Sequence, residues 1–117
     1  PLPCPGLMEF VEAGNLDGAE VDDYLREKIS PYLDKNLTGV VLGCTHYPFL
    51  RREIRATVGP SVEIFDGTSG TARELRRRIT EAGLLREVGH KGQVTFLNSS
   101  DDPEMLRRSE YLFRREI

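Results

Sequence analysis

Nine residues, Val40-Val41-Leu42-Gly43-Cys44-Thr45-His46-Tyr47-Pro48, constrain this chain more than any other stretch. A continuous apolar run predicts a buried strand over residues 38–42. The run ends on a thiol, an imidazole follows two residues later, and a proline stands where a helix can open. In a parallel α/β sheet, ligands bind in the crevice outside the carboxyl ends of the strands. A cysteine at such a place lies close to a helix N-terminus, whose positive end favours thiolate.

The rest of the chain alternates in the same manner. Residues 3–13 predict a loop with a helical turn, punctuated by Gly14 and Gly18. Tyr24, Leu25, Ile29, Tyr32 and Leu33 recur at helical spacing over residues 22–34. Pro31 should kink or restart that helix, and Asn36 is a plausible C-terminal cap. Pro48 suits a first helical position; Leu50, Ile54 and Val58 then line one face, with Arg51, Arg52, Glu53 and Arg55 on the other. Gly59-Pro60 ends this helix, and residues 62–65 predict a second strand. A helix to about residue 82 follows, with Ala72, Leu75, Ile79 and Ala82 on its buried stripe and Gly83 as its stop. Residues 93–97 predict a third strand, and Asp102-Pro103 is an N-cap and N1 pair for a last helix. Strands alternating with helices predict an α/β fold of βα units on a parallel sheet. Three strands make a thin sheet with a bare edge, so the pattern suits a fragment of something larger. The opening Pro1-Leu2-Pro3, without methionine, points the same way.

Composition narrows the function. The 117 residues are 38% hydrophobic and 30% charged with a net charge of −3, enough for one modest domain. Arginines interleave with Glu and Asp, so no basic field invites nucleic acid. No apolar stretch predicts a membrane span, and no signal-peptide pattern opens the chain. Cys4 and Cys44 make no disulfide framework, which suits a reducing cytoplasm.

Cys44 by position alone is better explained by a small buried hydrophobe at a strand end. Its neighbours argue for chemistry. Gly43 lets a ligand approach the backbone, Thr45 offers a hydroxyl and an N–H to a carboxylate, and His46 can pair with the thiol or orient a bound acid. Glu12 reads equally as a solvated carboxylate or a site residue. Cys44, His46, Cys4 and His90 lack zinc-site spacing, so no metal is expected. The 67–71 loop reads as a strand-to-helix turn capped by Thr68 or Ser69 rather than a phosphate cradle. Arg76, Arg77 and Arg78, with Glu74 and Glu81, read as a solvated face.

Gly43-Cys44-Thr45-His46-Tyr47-Pro48 resembles the C-terminal signature of bacterial glutamate racemases, within the cofactor-independent aspartate/glutamate racemase superfamily. Cys4-Pro5 with Val11-Glu12, Phe65-Asp66 with Ser69-Gly70 and Ala72, and Val94-Thr95-Phe96 with Asp102-Pro103-Glu104 resemble further segments, so the likeness covers nearly the whole chain. Gly67-Thr68 and the 98–101 loop depart mildly from the family pattern. The resemblance implies a two-domain racemase fold. Residues 1–61 would be part of the C-terminal-type domain carrying Cys44, and residues 62–117 a βαβα segment completing the other domain.

It further implies interconversion of L- and D-glutamate by two thiols, one from each domain, without a cofactor. Removing an α-proton and returning one to the opposite face takes two acid/base groups. Cys44 matches the second thiol, His46 the histidine assisting it, Glu12 a nearby acidic residue and Thr45 a substrate contact. Cys4 matches no catalytic position, so these residues alone would not racemise; the missing N-terminal half would supply the other thiol. D-glutamate for peptidoglycan, a bacterial cytoplasm and a possible homodimer are implied as well. The alternatives are a racemase of aspartate or another small acid, or a non-catalytic, protein-binding derivative of the fold. Aspartate racemases usually carry Glu where His46 stands, which favours glutamate.

Overall fold

The computed structural model describes residues 1–86, 89 and 91–115, and they fall into two units, Pro1–Asp66 and Gly67–Arg115. The first unit runs α1 (Leu7–Ala13), α2 (Ala19–Leu33), β1 (Gly39–Val41), a 3-10 turn (Tyr47–Leu50), α3 (Arg51–Val58) and β2 (Glu63–Phe65). The second contains α4 (Thr68–Glu81) and α5 (Pro103–Phe113).

In the first unit the apolar patterns become a core. Strands β1 and β2 pair in parallel, Val40 opposite Ile64, with Leu42 N–H donating to Phe65 O at 2.8 Å and Glu63 N–H to Thr38 O at 2.9 Å. A parallel pair needs a crossover connection, and α3 is that crossover. Leu25 and Ile29 of α2 and Leu50, Ile54 and Val58 of the turn and α3 are buried, and the two helices pack together. Each such side chain removed from water contributes about 1.5–3 kcal/mol. Arg51 and Arg55 fasten the crossover: Arg51 donates to Ile64 O at 2.9 Å and to Asp66 at 2.5 Å, while Arg55 donates to Gly59 O at 2.9 Å and to Val62 O.

Several local expectations need correction. Residues 7–13 form a helix, not a loop with one turn. α2 begins at Ala19 and runs through Pro31, which lies in the last turn and so restarts nothing. Asn36 adopts the left-handed conformation (φ 54°), but Asp34 is the cap. Glu53, expected on the polar face of α3, is buried with Ile54. Strand β2 hydrogen-bonds to β1 within the first unit.

The second unit departs further. Asp102 caps α5 as expected, its carboxylate accepting from Glu104 N–H at 2.9 Å with Pro103 in the first turn. Gly83 (φ +68°) stands just past α4, and Gly67 rather than Thr68 or Ser69 is its N-cap, with no side-chain hydrogen bond. Neither α4 nor α5 has a buried residue; Leu75, on the expected buried stripe, is 62% exposed. Residues 93–97 form no strand. A strand needs a partner for its N–H and C=O groups, both strands among the described residues lie in the other unit, and Leu97 is 88% exposed. Phe96 instead meets Phe113 edge to face, centroids 5.4 Å apart. The arginine face is as expected: Arg77 pairs with Glu74 and Glu81, and Arg78 with Glu74.

No helix among the described residues is long and apolar enough to cross a membrane.

Candidate active site

Strand β1 delivers the site. After Val41 and Leu42 the chain leaves the sheet at Gly43, turns through Cys44, Thr45 and His46, and enters the 3-10 turn with Pro48 in its opening positions. Tyr47 N–H bonds to Cys44 O at 3.2 Å and Phe49 N–H to His46 O at 3.1 Å, so the turn is wound by its own backbone. A Cβ built on Gly43 meets nothing within 4 Å, and that residue is exposed; the approach to Cys44 from this side is open.

Cys44 is half-buried, with Sγ 3.7 Å from His46 Nδ1. The other ring nitrogen, Nε2, lies 2.5 Å from Glu12 Oε1. Three sequence candidates thus form one chain, thiol–imidazole–carboxylate, with Glu12 brought in from α1 across 34 positions. Thr45, the fourth, is exposed in the turn beside them. A concavity of about 460 Å³ runs along β1 and is lined by Cys4, Leu7, Ile29, Tyr47 and Ile54 among others; Cys44, His46 and Glu12 do not line it.

The electrostatics follow from these contacts. Hydrogen bonding from the His46 backbone N–H is the largest influence on Cys44 and pulls its pKa below the usual thiol value; the imidazole adds to this, against burial. His46 is raised, first by its hydrogen bond to Glu12 and then by the thiol, against desolvation. With Nε2–H donated to Glu12, the neutral ring presents Nδ1 as an acceptor toward the thiol. Once it takes the proton, the imidazolium donates to the thiolate. The pair can therefore move a proton between sulfur and nitrogen while the carboxylate holds the ring's orientation, the logic of an oriented base beside a nucleophile or general base.

Two tyrosines make hydroxyl contacts that the sequence did not foretell. Tyr24 of α2 donates its hydroxyl to Pro5 O at 2.8 Å, and the Tyr47 hydroxyl reaches Cys4 O at 3.5 Å. Burial above all pushes Tyr24 up to about 12, so it stays a donor throughout the ordinary pH range. Burial likewise raises Tyr47 and the Cys4 thiol. Cys4 therefore differs in kind from Cys44: one thiol is disfavoured as an anion, the other favoured. Helical periodicity already put Tyr24 on an apolar stripe, but no spacing rule connects it to Pro5. His90 lies outside the described residues; among those described, no cluster of three or more His, Cys, Asp or Glu could hold a metal.

No protein-family model matches the chain. It is 52% identical over 112 residues to a glutamate racemase of Clostridium perfringens, covering 96% of this chain and 43% of that protein. A glutamate racemase of Clostridium botulinum is 42% identical over 113 residues, with 97% and 44% covered. Among solved structures, glutamate racemase from Thermus thermophilus in complex with β-chloro-D-alanine matches with a TM-score of 0.72 at 33% identity, over 91% of this chain and 41% of that one. Glutamate racemase from Francisella tularensis in complex with D-glutamate matches at 0.62 and 30% identity, over 72% and 31%. The chain is thus similar to glutamate racemases over nearly all of its own residues, while spanning less than half of their length.

Proposed function

We propose that this chain carries one of the two proton-transferring halves of a glutamate racemase active site, with Cys44 as the acid/base at one face of the substrate's α-carbon. The supporting observation is the chain from Cys44 Sγ through His46 to Glu12, at 3.7 and 2.5 Å. In the forward step the Cys44 thiolate takes the α-proton of L-glutamate and becomes a thiol, leaving the electron pair on the α-carbon and its carboxylate. A second acid outside this chain adds a proton to the opposite face and gives D-glutamate. In the reverse direction the Cys44 thiol donates. His46 receives or returns the thiol proton between turnovers, and Glu12 keeps Nε2 protonated and the ring aligned.

An α-proton is a very weak acid, so donors around the substrate carboxylate must stabilise the developing charge. The exposed Thr45 hydroxyl beside Cys44 suits that role. A lowered thiol pKa enlarges the thiolate fraction but weakens each thiolate as a base, and the best value lies near the working pH.

The two Clostridium relatives fit a bacterial setting. On this reading the complete protein acts in the cytoplasm without a cofactor, as a homodimer, and supplies D-glutamate to peptidoglycan.

The test uses the full-length protein in deuterium oxide, following α-deuterium incorporation from each glutamate enantiomer. Cys44→Ala is expected to abolish exchange from L-glutamate, and Cys44→Ser to lower turnover by orders of magnitude, since a hydroxyl is a far poorer source of anionic base. Undiminished exchange in Cys44→Ala would remove this thiol from the mechanism.

A further inference from the structure

Helix α1 carries Glu12 to His46, yet it is poorly equipped to hold its own position. It has seven residues, its N-cap is a glycine in the left-handed region (Gly6, φ 90°), and no side chain caps its first turn. Isolated helices of this length are not stable in water. Leu7 and Val11 are buried and fix one face. The entry segment is held by two carbonyls: Cys4 O accepts from Leu7 N–H at 3.2 Å and from Tyr47, and Pro5 O accepts from the Tyr24 hydroxyl at 2.8 Å. Tyr24 grips a second time, its ring meeting Phe10 edge to face with centroids 5.7 Å apart. One side chain of α2 therefore holds α1 both before its first turn and in its middle.

We infer that Tyr24 is a positioning residue, holding α1 in the register that keeps the Glu12 carboxylate on His46 and so tuning Cys44 without touching it. This rests on the proposed role of Cys44. Its physical basis is geometric: a charge-assisted bond at 2.5 Å weakens steeply when its carrier shifts. The charged and titratable groups acting on this cluster are Glu9 and Glu12 of α1, Cys4, Tyr24, Glu27 and Lys28 of α2 and its neighbourhood, and Cys44, His46 and Tyr47 of the turn.

The experiment measures, in the full-length protein, the pH profile of Cys44 alkylation by iodoacetamide, resolved from other cysteines by peptide mass mapping. Tyr24→Phe keeps the ring contact and deletes the bond to Pro5. It is expected to move the alkylation profile to higher pH, in the same direction as Glu12→Gln. Turnover should fall roughly two- to ten-fold, the range of one neutral hydrogen bond, with KM unchanged. In a Glu12→Gln background Tyr24→Phe should add no further shift. An unchanged profile in Tyr24→Phe, or an equal shift with Glu12 already neutralised, would overturn the inference. Should circular dichroism show Tyr24→Phe unfolded, Phe10→Leu, which removes the other grip, is held to the same two criteria. The alkylation profile does not require turnover, so a wild-type protein that fails to racemise glutamate defeats the proposed function and leaves this inference to its own test.

Discussion

The two units of this molecule were written in the same sequence language and met different fates. In Pro1–Asp66, Leu25, Leu50, Ile54 and Val58 recur at helical spacing and all are buried. In Gly67–Arg115, Leu75 and Ile79 recur in the same way, yet no residue of α4 is buried, and the segment at 93–97 makes no strand. An amphipathic pattern states which face a helix will bury if something covers it; it does not supply the cover. Strands obey a harsher rule, since an unpaired strand leaves both its apolar face and its ladder groups without partners.

Substitutions can break this contrast. The largest stability effect is expected from Leu25→Ala, at 1% exposure: a loss of about 2–5 kcal/mol in denaturant unfolding of the chain. Leu75→Ala should stay within about 0.5 kcal/mol of wild type; a loss comparable to Leu25→Ala would mean that α4 has a buried partner after all. Next comes Asp102→Ala, which removes the cap of α5 and should cost about 1 kcal/mol, read as lost helicity by circular dichroism.

The Glu12–His46 pair follows, on the order of 1 kcal/mol or less, because its side chains are 44% and 25% exposed and solvent screens them. His46 is raised in the fold, so this contribution is complete below the ordinary histidine value and is lost as pH rises through the raised one. Glu12→Gln should lower the His46 midpoint seen by NMR titration and erase that slope; an unmoved midpoint would deny the contact. Smallest of all, Arg77→Gln should leave Tm unchanged, since its ion pairs with Glu74 and Glu81 lie on a solvated helix face.

The site divides along the same line. Cys44 and His46 were legible because they sit two residues apart in a turn that the strand before them and the proline after them define. Glu12 read equally as a solvated carboxylate or as part of the site, and its place against His46 emerged from the fold. Tyr24 and Tyr47 had apolar or motif explanations that concealed their hydroxyls' carbonyl partners. Glu53 shows the reverse failure, a charged residue assigned to solvent and found buried.

By itself the sequence determined what short-range sterics and hydrogen bonding dictate: β1 and β2, the crossover helix between them, the glycine and proline punctuation, the Asp102 cap, and a thiol beside an imidazole at a strand's carboxyl end. Only the tertiary structure decided which apolar stripes are covered, that residues 93–97 find no ladder, and that a carboxylate from α1 closes on His46. The reason is physical. Periodicity and capping are settled within a few residues, whereas burial and long-range pairing exist only when distant segments are present and docked.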